Sequence, residues 1–255
     1  MKKILGLALL AGAATAATAV PASAEVSYSG NVALTSNYVF RGVSQSDNGP
    51  AVQGGFDVSS GIFYAGTWAS SVDFGWDSGT GFDDGGVELD LYAGLKPTLG
   101  PVAFDIGVLG YFYPGSEDGS VGPEGVDLDY YELKFAPSIT PVEGLTLGAA
   151  VYYSPEFTGS TDSGLYYEAN AAFTISDMFS VSGAVGKQTV DQVGYFVLDD
   201  GTATDEYTTW NVGGTMSVAG FGLDLRYVNA DESITNGAGN EVSKETVVFT
   251  IKRAL

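Results

Sequence analysis

Glu88 and Asp90, Glu132 and Lys134, and Asp224 and Arg226 stand two residues apart in pairs. In an extended chain that spacing puts both members of a pair on one face. Arg41, Asp57, Asp105 and Glu168 occupy the same polar face of their own segments, which makes seven acids and three bases in all. Carboxylates gathered on the inside of a low-dielectric wall favour cations over anions, because the wall strengthens each charge–ion interaction. Asp90 and Asp105 flank the turn Lys96–Gly100 on adjacent segments, an arrangement expected to bring two carboxylates within reach of one cation or one shared proton. Glu132 with Lys134 and Asp224 with Arg226 read as structural ion pairs. Arg41 reads either as a constriction base that positions a polar solute or as the counter-ion of Asp57 or a neighbouring acid. The competing reading of all ten is mutual neutralisation across a filled bore.

Other chemistries are closed by composition. The chain has no histidine and no cysteine, which excludes Ser-His hydrolysis, histidine general bases and histidine-ligated zinc. A glycosidase-like carboxylate pair is the one enzymatic option left, so the chain reads as a non-enzyme, and no motif calls for a cofactor or a resident metal. A formal net charge of −21 makes nucleic acid, anionic lipid and polyphosphate poor partners.

The elements that position these residues are β-strands. Val87, Leu89, Leu91, Ala93 and Leu95 alternate with Glu88, Asp90, Tyr92, Gly94 and Lys96, the period-two pattern of a strand with one apolar and one wet face. The same alternation runs through Val102–Phe112, Tyr131–Phe135, Leu145–Tyr153, Leu165–Ile175, Trp210–Val218, Phe221–Tyr227 and Val247–Lys252. About twelve such segments are joined by connections that alternate in length. Gly42–Gly49, Asp73–Gly86, Pro114–Val126, Pro155–Ser163, Val190–Asp205 and Ala230–Val242 are long. Ser59–Gly61, Lys96–Gly100, Thr140–Gly144, Ser176–Met178 and Ala219–Gly220 are short. Long loops gathered at one end and short turns at the other predict a transmembrane antiparallel up-and-down β-barrel. Tyr38, Phe40, Trp68, Phe112, Tyr113, Tyr153, Tyr166, Tyr167 and Tyr207 fall near the long-loop ends, where an interfacial girdle is expected.

Residues 1–24 read as a cleaved export signal: Lys2 and Lys3, an apolar stretch from Ile4 to Val20, then Ala22-Ser23-Ala24 before Glu25. Residues 25–255 then form a single barrel domain, with two fewer lysines and a charge of −23 rather than −21. Closure would supply the stability that disulfides give other exported proteins.

The block Asn31–Asp57, NVALTSNYVFRGVSQSDNGPAVQGGFD, resembles the TorF family of porins, as do Phe63–Ser70, Glu88–Gly94 and Gly110–Gly115. The resemblance is strongest over residues 25–115. It implies an outer-membrane barrel of a Gram-negative bacterium and brings no set of functional residues with it. One departure is the C-terminus, which ends in Leu255 rather than the phenylalanine common to such barrels.

The expected function is a porin-like channel for passive diffusion of small solutes or ions, its acidic lumen favouring cations. The rival is a plugged structural barrel or surface adhesin that works through its loops. Those loops carry Asp73, Asp77, Asp83, Asp84, Glu117, Asp118, Glu124, Asp191, Asp199, Asp200, Asp205, Glu206, Asp231 and Glu232. Such oxygen ligands suit Ca²⁺ or Mg²⁺, which would bridge the loops to lipopolysaccharide phosphates in the outer membrane.

Overall fold

The computed structural model describes residues 25–75, 86–114, 120–121 and 126–255. The expected export signal and the loop acids Asp77, Asp83, Asp84, Glu117, Asp118 and Glu124 lie outside the described residues. Twelve long strands run in chain order: β1 (Val26–Thr35), β2 (Ala51–Ser60), β3 (Phe63–Ser71), β4 (Val87–Leu95), β5 (Val102–Phe112), β6 (Tyr130–Val142), β7 (Leu145–Ser154), β8 (Gly164–Thr174), β9 (Phe179–Val190), β10 (Glu206–Val218), β11 (Phe221–Ala230) and β12 (Thr246–Ala254). Each pairs antiparallel with its chain neighbours, and β12 returns to β1 with Ile251 opposite Leu34. Closure gives every long strand two partners, so backbone polar groups are satisfied within the wall, as a hydrocarbon surrounding demands.

Alternation decides which way the wall faces. Leu91, Val108, Leu133, Phe135, Val185, Val212, Leu225 and Phe249 are exposed, while their strand neighbours are buried or half-buried. Val212 is 59% exposed and Leu225 57%. A continuous apolar exterior of this extent is unstable in water and suits lipid.

Connections 61–62, 96–101, 143–144, 175–178 and 219–220 close the short-turn end, and 36–50, 72–86, 113–129, 155–163, 191–205 and 231–245 lie at the other. The expected split in lengths holds, with one shift. The first long connection starts at Ser36, because β1 ends at Thr35. Residues 36–50 turn inward instead, through a small hairpin that pairs Val39 with Ser44 and Phe40 with Val43.

The expected girdle is corrected in the same way. Phe112, Tyr153 and Tyr167 face outward, but Tyr38, Tyr113, Tyr166 and Tyr207 are buried inside the barrel, and Phe40 and Trp68 pack there too. Tyr38, Phe40, Trp68, Tyr113 and Tyr207 join Tyr111, Tyr130, Phe157, Phe196 and Ile234 in a largely aromatic core beneath the long loops, while Tyr166 lies under the Arg41 guanidinium. Apolar burial is concentrated at this rim, and aromatic side chains supply large areas each.

Candidate functional site

The hairpin of residues 36–50 places Arg41 at its tip, with φ of 48° at Arg41 and 86° at Gly42. Gly42 lies so close to Thr209 on β10 that a side chain there would collide with it. β10 stands three strands from β1 around the wall, so the tip reaches over the bore away from its own β1–β2 side. Its backbone is held by Ser44 N–H donating to the Val242 carbonyl and by Asp73 N–H donating to the Gln45 carbonyl. Asn240 and Asn236 both donate to the Asp47 carboxylate, which ties the hairpin to the last loop.

Arg41 is not the end of a strand, as its position in the sequence suggests, and its partner is not Asp57. Its two terminal nitrogens donate to the two oxygens of Glu132 on β6, each at 2.7 Å, and Nη1 also donates to Gln188 on β9 at 3.0 Å. The guanidinium lies 4.3 Å over the Tyr166 ring centroid, 4.8 Å over Tyr152 and 4.7 Å over Phe40. A bidentate, ring-stacked arginine suits a buried ion pair far better than lysine would. Glu132 thus pairs with Arg41 and not with Lys134 two residues along. Beside this contact, Tyr38 and Tyr113 donate to the two oxygens of Glu88 at 2.7 and 2.9 Å. In Tyr38, on the hairpin, burial first and Glu88 second hold the phenol well above its ordinary pKa, so it is a donor at any working pH.

The remaining expected residues lie nearer the short-turn end. Lys134 donates to Asp105 at 2.9 Å, and Tyr64 donates to the same carboxylate at 2.6 Å. Lys96 stands 3.8 Å from it. Tyr92 donates to Asp57 at 2.7 Å. Arg226 pairs with Asp224 as expected, and also donates to Asn211 and Ser182. Glu168 accepts from Tyr166 and Asn170.

The expected approach of Asp90 to Asp105 does not occur. The β4–β5 register sets Asp90 opposite Tyr111, six residues along β5 from Asp105, or about 20 Å at a strand's rise. The turn 96–101 aligns Leu95 with Ile106, which leaves Asp105 at the short-turn rim and Asp90 under the hairpin.

Two bases escape the sequence-based set. Lys96 reaches Asp105 from the turn. Lys252 lies on the interior face of β12, between exposed Ile251 and Arg253, and close enough to Asp57 to feel its charge. Its alternation with Phe249 and Ile251 was the available signal. Gln188 is missed too, because Ser180, Ser182, Ala184 and Gly186 make β9 a weakly patterned strand.

Tyrosines in this half lie flat on the wall. A Cβ on Gly66 would stand 2.5 Å from the Tyr92 ring, and one on Gly94 would stand 2.6 Å from the Tyr64 hydroxyl. The glycines let the rings fold back against neighbouring strands instead of projecting to the axis. The bore is thus shaped in two zones, a glycine-relieved polar section below and a section crossed by the Arg41 hairpin above.

Comparisons place this architecture among known barrels. The solved structure described as NanC porin in a rhombohedral crystal form aligns with a TM-score of 0.57 at 11% identity, covering 88% of this chain and 98% of that one. KdgM porin gives 0.52 at 7% identity, over 89% and 98%. An outer-membrane channel from Pseudomonas putida F1 gives 0.52 at 14% identity, over 92% and 96%. At these identities the likeness is one of fold. No curated protein sequence matches. A family model described as bacterial protein of unknown function, Gcw_chp, matches residues 18–255. It spans nearly the whole barrel, and the chain belongs to the Gcw_chp family.

Proposed function

We propose that the protein is a porin-like channel of a Gram-negative outer membrane, exported by its first 24 residues. It passes small solutes or ions passively and favours cations. The observation that carries this reading is the wall itself: a closed twelve-strand barrel, apolar outside and lined within by Asp57, Asp105, Lys134, Glu168, Asp224 and Arg226. These charges are half-buried, as in a solvated bore, whereas in a filled structural barrel apolar packing of the same volume is at least as stable. The porins and channel among its structural neighbours support the same reading, as does the TorF resemblance of its N-terminal block. The hairpin at 36–50 sets the narrowest section, and solute size is read there.

A second reading has its own observation. The aromatic core under the loops and the Arg41 contact across the bore favour a barrel that stays shut and works through its acidic outer loops, with divalent cations bridging them to lipopolysaccharide. Reconstitution of the refolded chain in a planar bilayer separates the two. Discrete conductance steps support the channel, and a folded barrel without steps supports the closed alternative.

A further inference from the structure

We propose that Asp90 is a binding subsite for a weakly hydrated monovalent cation, K⁺ being the probe, at the narrow section of the bore. The proposal rests on the channel reading for its role in selectivity, though not for the binding itself. Three acidic side chains line the interior face at this level: Glu88 and Asp90 on β4, and Glu132 two strands along on β6. Glu88 and Glu132 are close enough for Asp90 to feel both charges. Both oxygens of Glu88 accept from tyrosines, and both oxygens of Glu132 accept from Arg41. Asp90 differs. Its residue exposure is 9%, and its Oδ1, buried, is the one side-chain oxygen or nitrogen among the described residues that is buried with no hydrogen-bond partner.

Charge makes the same point. Arg41 is the one base against these three acidic side chains, so Glu88 and Asp90 have no base beside them in a section lined by Tyr38, Tyr111, Tyr113 and Tyr130, and Glu88 has two phenol donors where Asp90 Oδ1 has none. An unpaired buried carboxylate is strongly unfavourable, and a cation beside it removes both the missing partner and one charge. Lower in the bore the account balances: Asp57, Asp105, Glu168 and Asp224 face Lys96, Lys134, Arg226 and Lys252. The cation preference therefore resides at Asp90 rather than along the whole lumen.

The ion's class follows from its surroundings. Calcium and magnesium take six or more oxygens, and among the described residues no three histidine, cysteine or acidic side chains are grouped to hold a metal ion. One free carboxylate oxygen in a section lined by tyrosines offers a single charge and no cage of oxygens, which suits a monovalent ion that sheds water readily.

The test uses the refolded full chain in detergent micelles. Its unfolding midpoint is measured in KCl and in LiCl, whose cation holds its water tightly, at equal ionic strength, for the wild type, Asp90→Asn, Asp90→Ser and Glu143→Gln. K⁺ is expected to raise the midpoint of the wild type and of Glu143→Gln, in the exposed 143–144 turn, by several degrees, and to leave both Asp90 variants unmoved. Equal wild-type midpoints in the two salts overturn the site without any variant, as does a K⁺ shift that survives in an Asp90 variant. Reversal potentials across a KCl gradient give the second readout: Asp90→Asn should lose most of the cation preference and Glu143→Gln should keep it, and a preference that survives in Asp90→Asn overturns the assignment. A K⁺ shift in a barrel that never conducts keeps the site and sinks the channel reading. Conductance with no K⁺ shift does the reverse.

Discussion

The guanidinium of Arg41 holds both oxygens of Glu132 at 2.7 Å, although 91 residues and the width of the bore separate them. The contact turns a loop into a crossbar. Both side chains are nearly inaccessible, at 6% and 2% exposure, so the pair is a buried one whose rupture leaves an uncompensated charge. Removing one partner of such a pair typically costs about 3–5 kcal/mol.

Arg41→Ala should therefore free the hairpin tip and leave Glu132 buried without its base, with the Tyr111 hydroxyl still donating to it. The expected outcome is a larger single-channel conductance together with a lower unfolding midpoint, read by bilayer recording and a heat-modified gel. A variant with unchanged conductance would mean that the hairpin stays in place without its arginine. Glu132→Gln should move conductance the same way by less, since an amide oxygen still accepts from the guanidinium.

The hairpin is also tied to the last loop through Asp47 and Asn240, whose side chains are 3.0 Å apart. The chain has no native cysteine, so Asp47→Cys with Asn240→Cys introduces its only thiols. Oxidation in the Arg41→Ala background should return conductance toward the wild-type level, and reduction should raise it again. Conductance indifferent to redox state would separate the hairpin from the permeation path.

Gly66 tests the flat tyrosines. Gly66→Val drives side-chain atoms into the Tyr92 ring and forces it toward the axis, at a strain of about 1–3 kcal/mol. Conductance should fall, and adding Tyr92→Ala should restore it. A Gly66→Val barrel that conducts like the wild type would show that Tyr92 has another place to go.

The exterior makes a separate claim. Val212→Arg, in the middle of β10 on the exposed apolar face, should destabilise the barrel in lipid by about 2–4 kcal/mol. Val193→Arg, in a long loop and 87% exposed, should be close to neutral. Equal effects at both positions would contradict a lipid-facing band. Urea titration in vesicles measures the pair.

Much of this arrangement was legible from residue order because one face of each strand is apolar. Val87–Leu95 and its neighbours announce themselves by alternation, and the Gly, Pro and Asp clusters mark where the strands end. The hairpin was not legible. Tyr38, Val39 and Phe40 follow β1 with no glycine or proline to mark its end at Thr35, so Arg41 read as the last residue of a strand. Its true surroundings are set by Glu132 and Gln188, tertiary partners that local pattern cannot reveal. Nor does parity alone distinguish a tyrosine at a lipid interface from one under a loop: Phe112 faces out and Tyr113 in, one residue apart. Asp90 and Asp105 were rightly placed on one face, yet pairing them required the turn register, which composition leaves open.

Single-channel recording of the refolded wild-type chain beside a variant with Tyr38–Asp47 replaced by a short Gly-Ser link tests the central claim most directly. The account predicts small, cation-selective steps for the wild type and clearly larger, less selective steps for the variant. Silence from both folded barrels would contradict it and move the function to the outer loops.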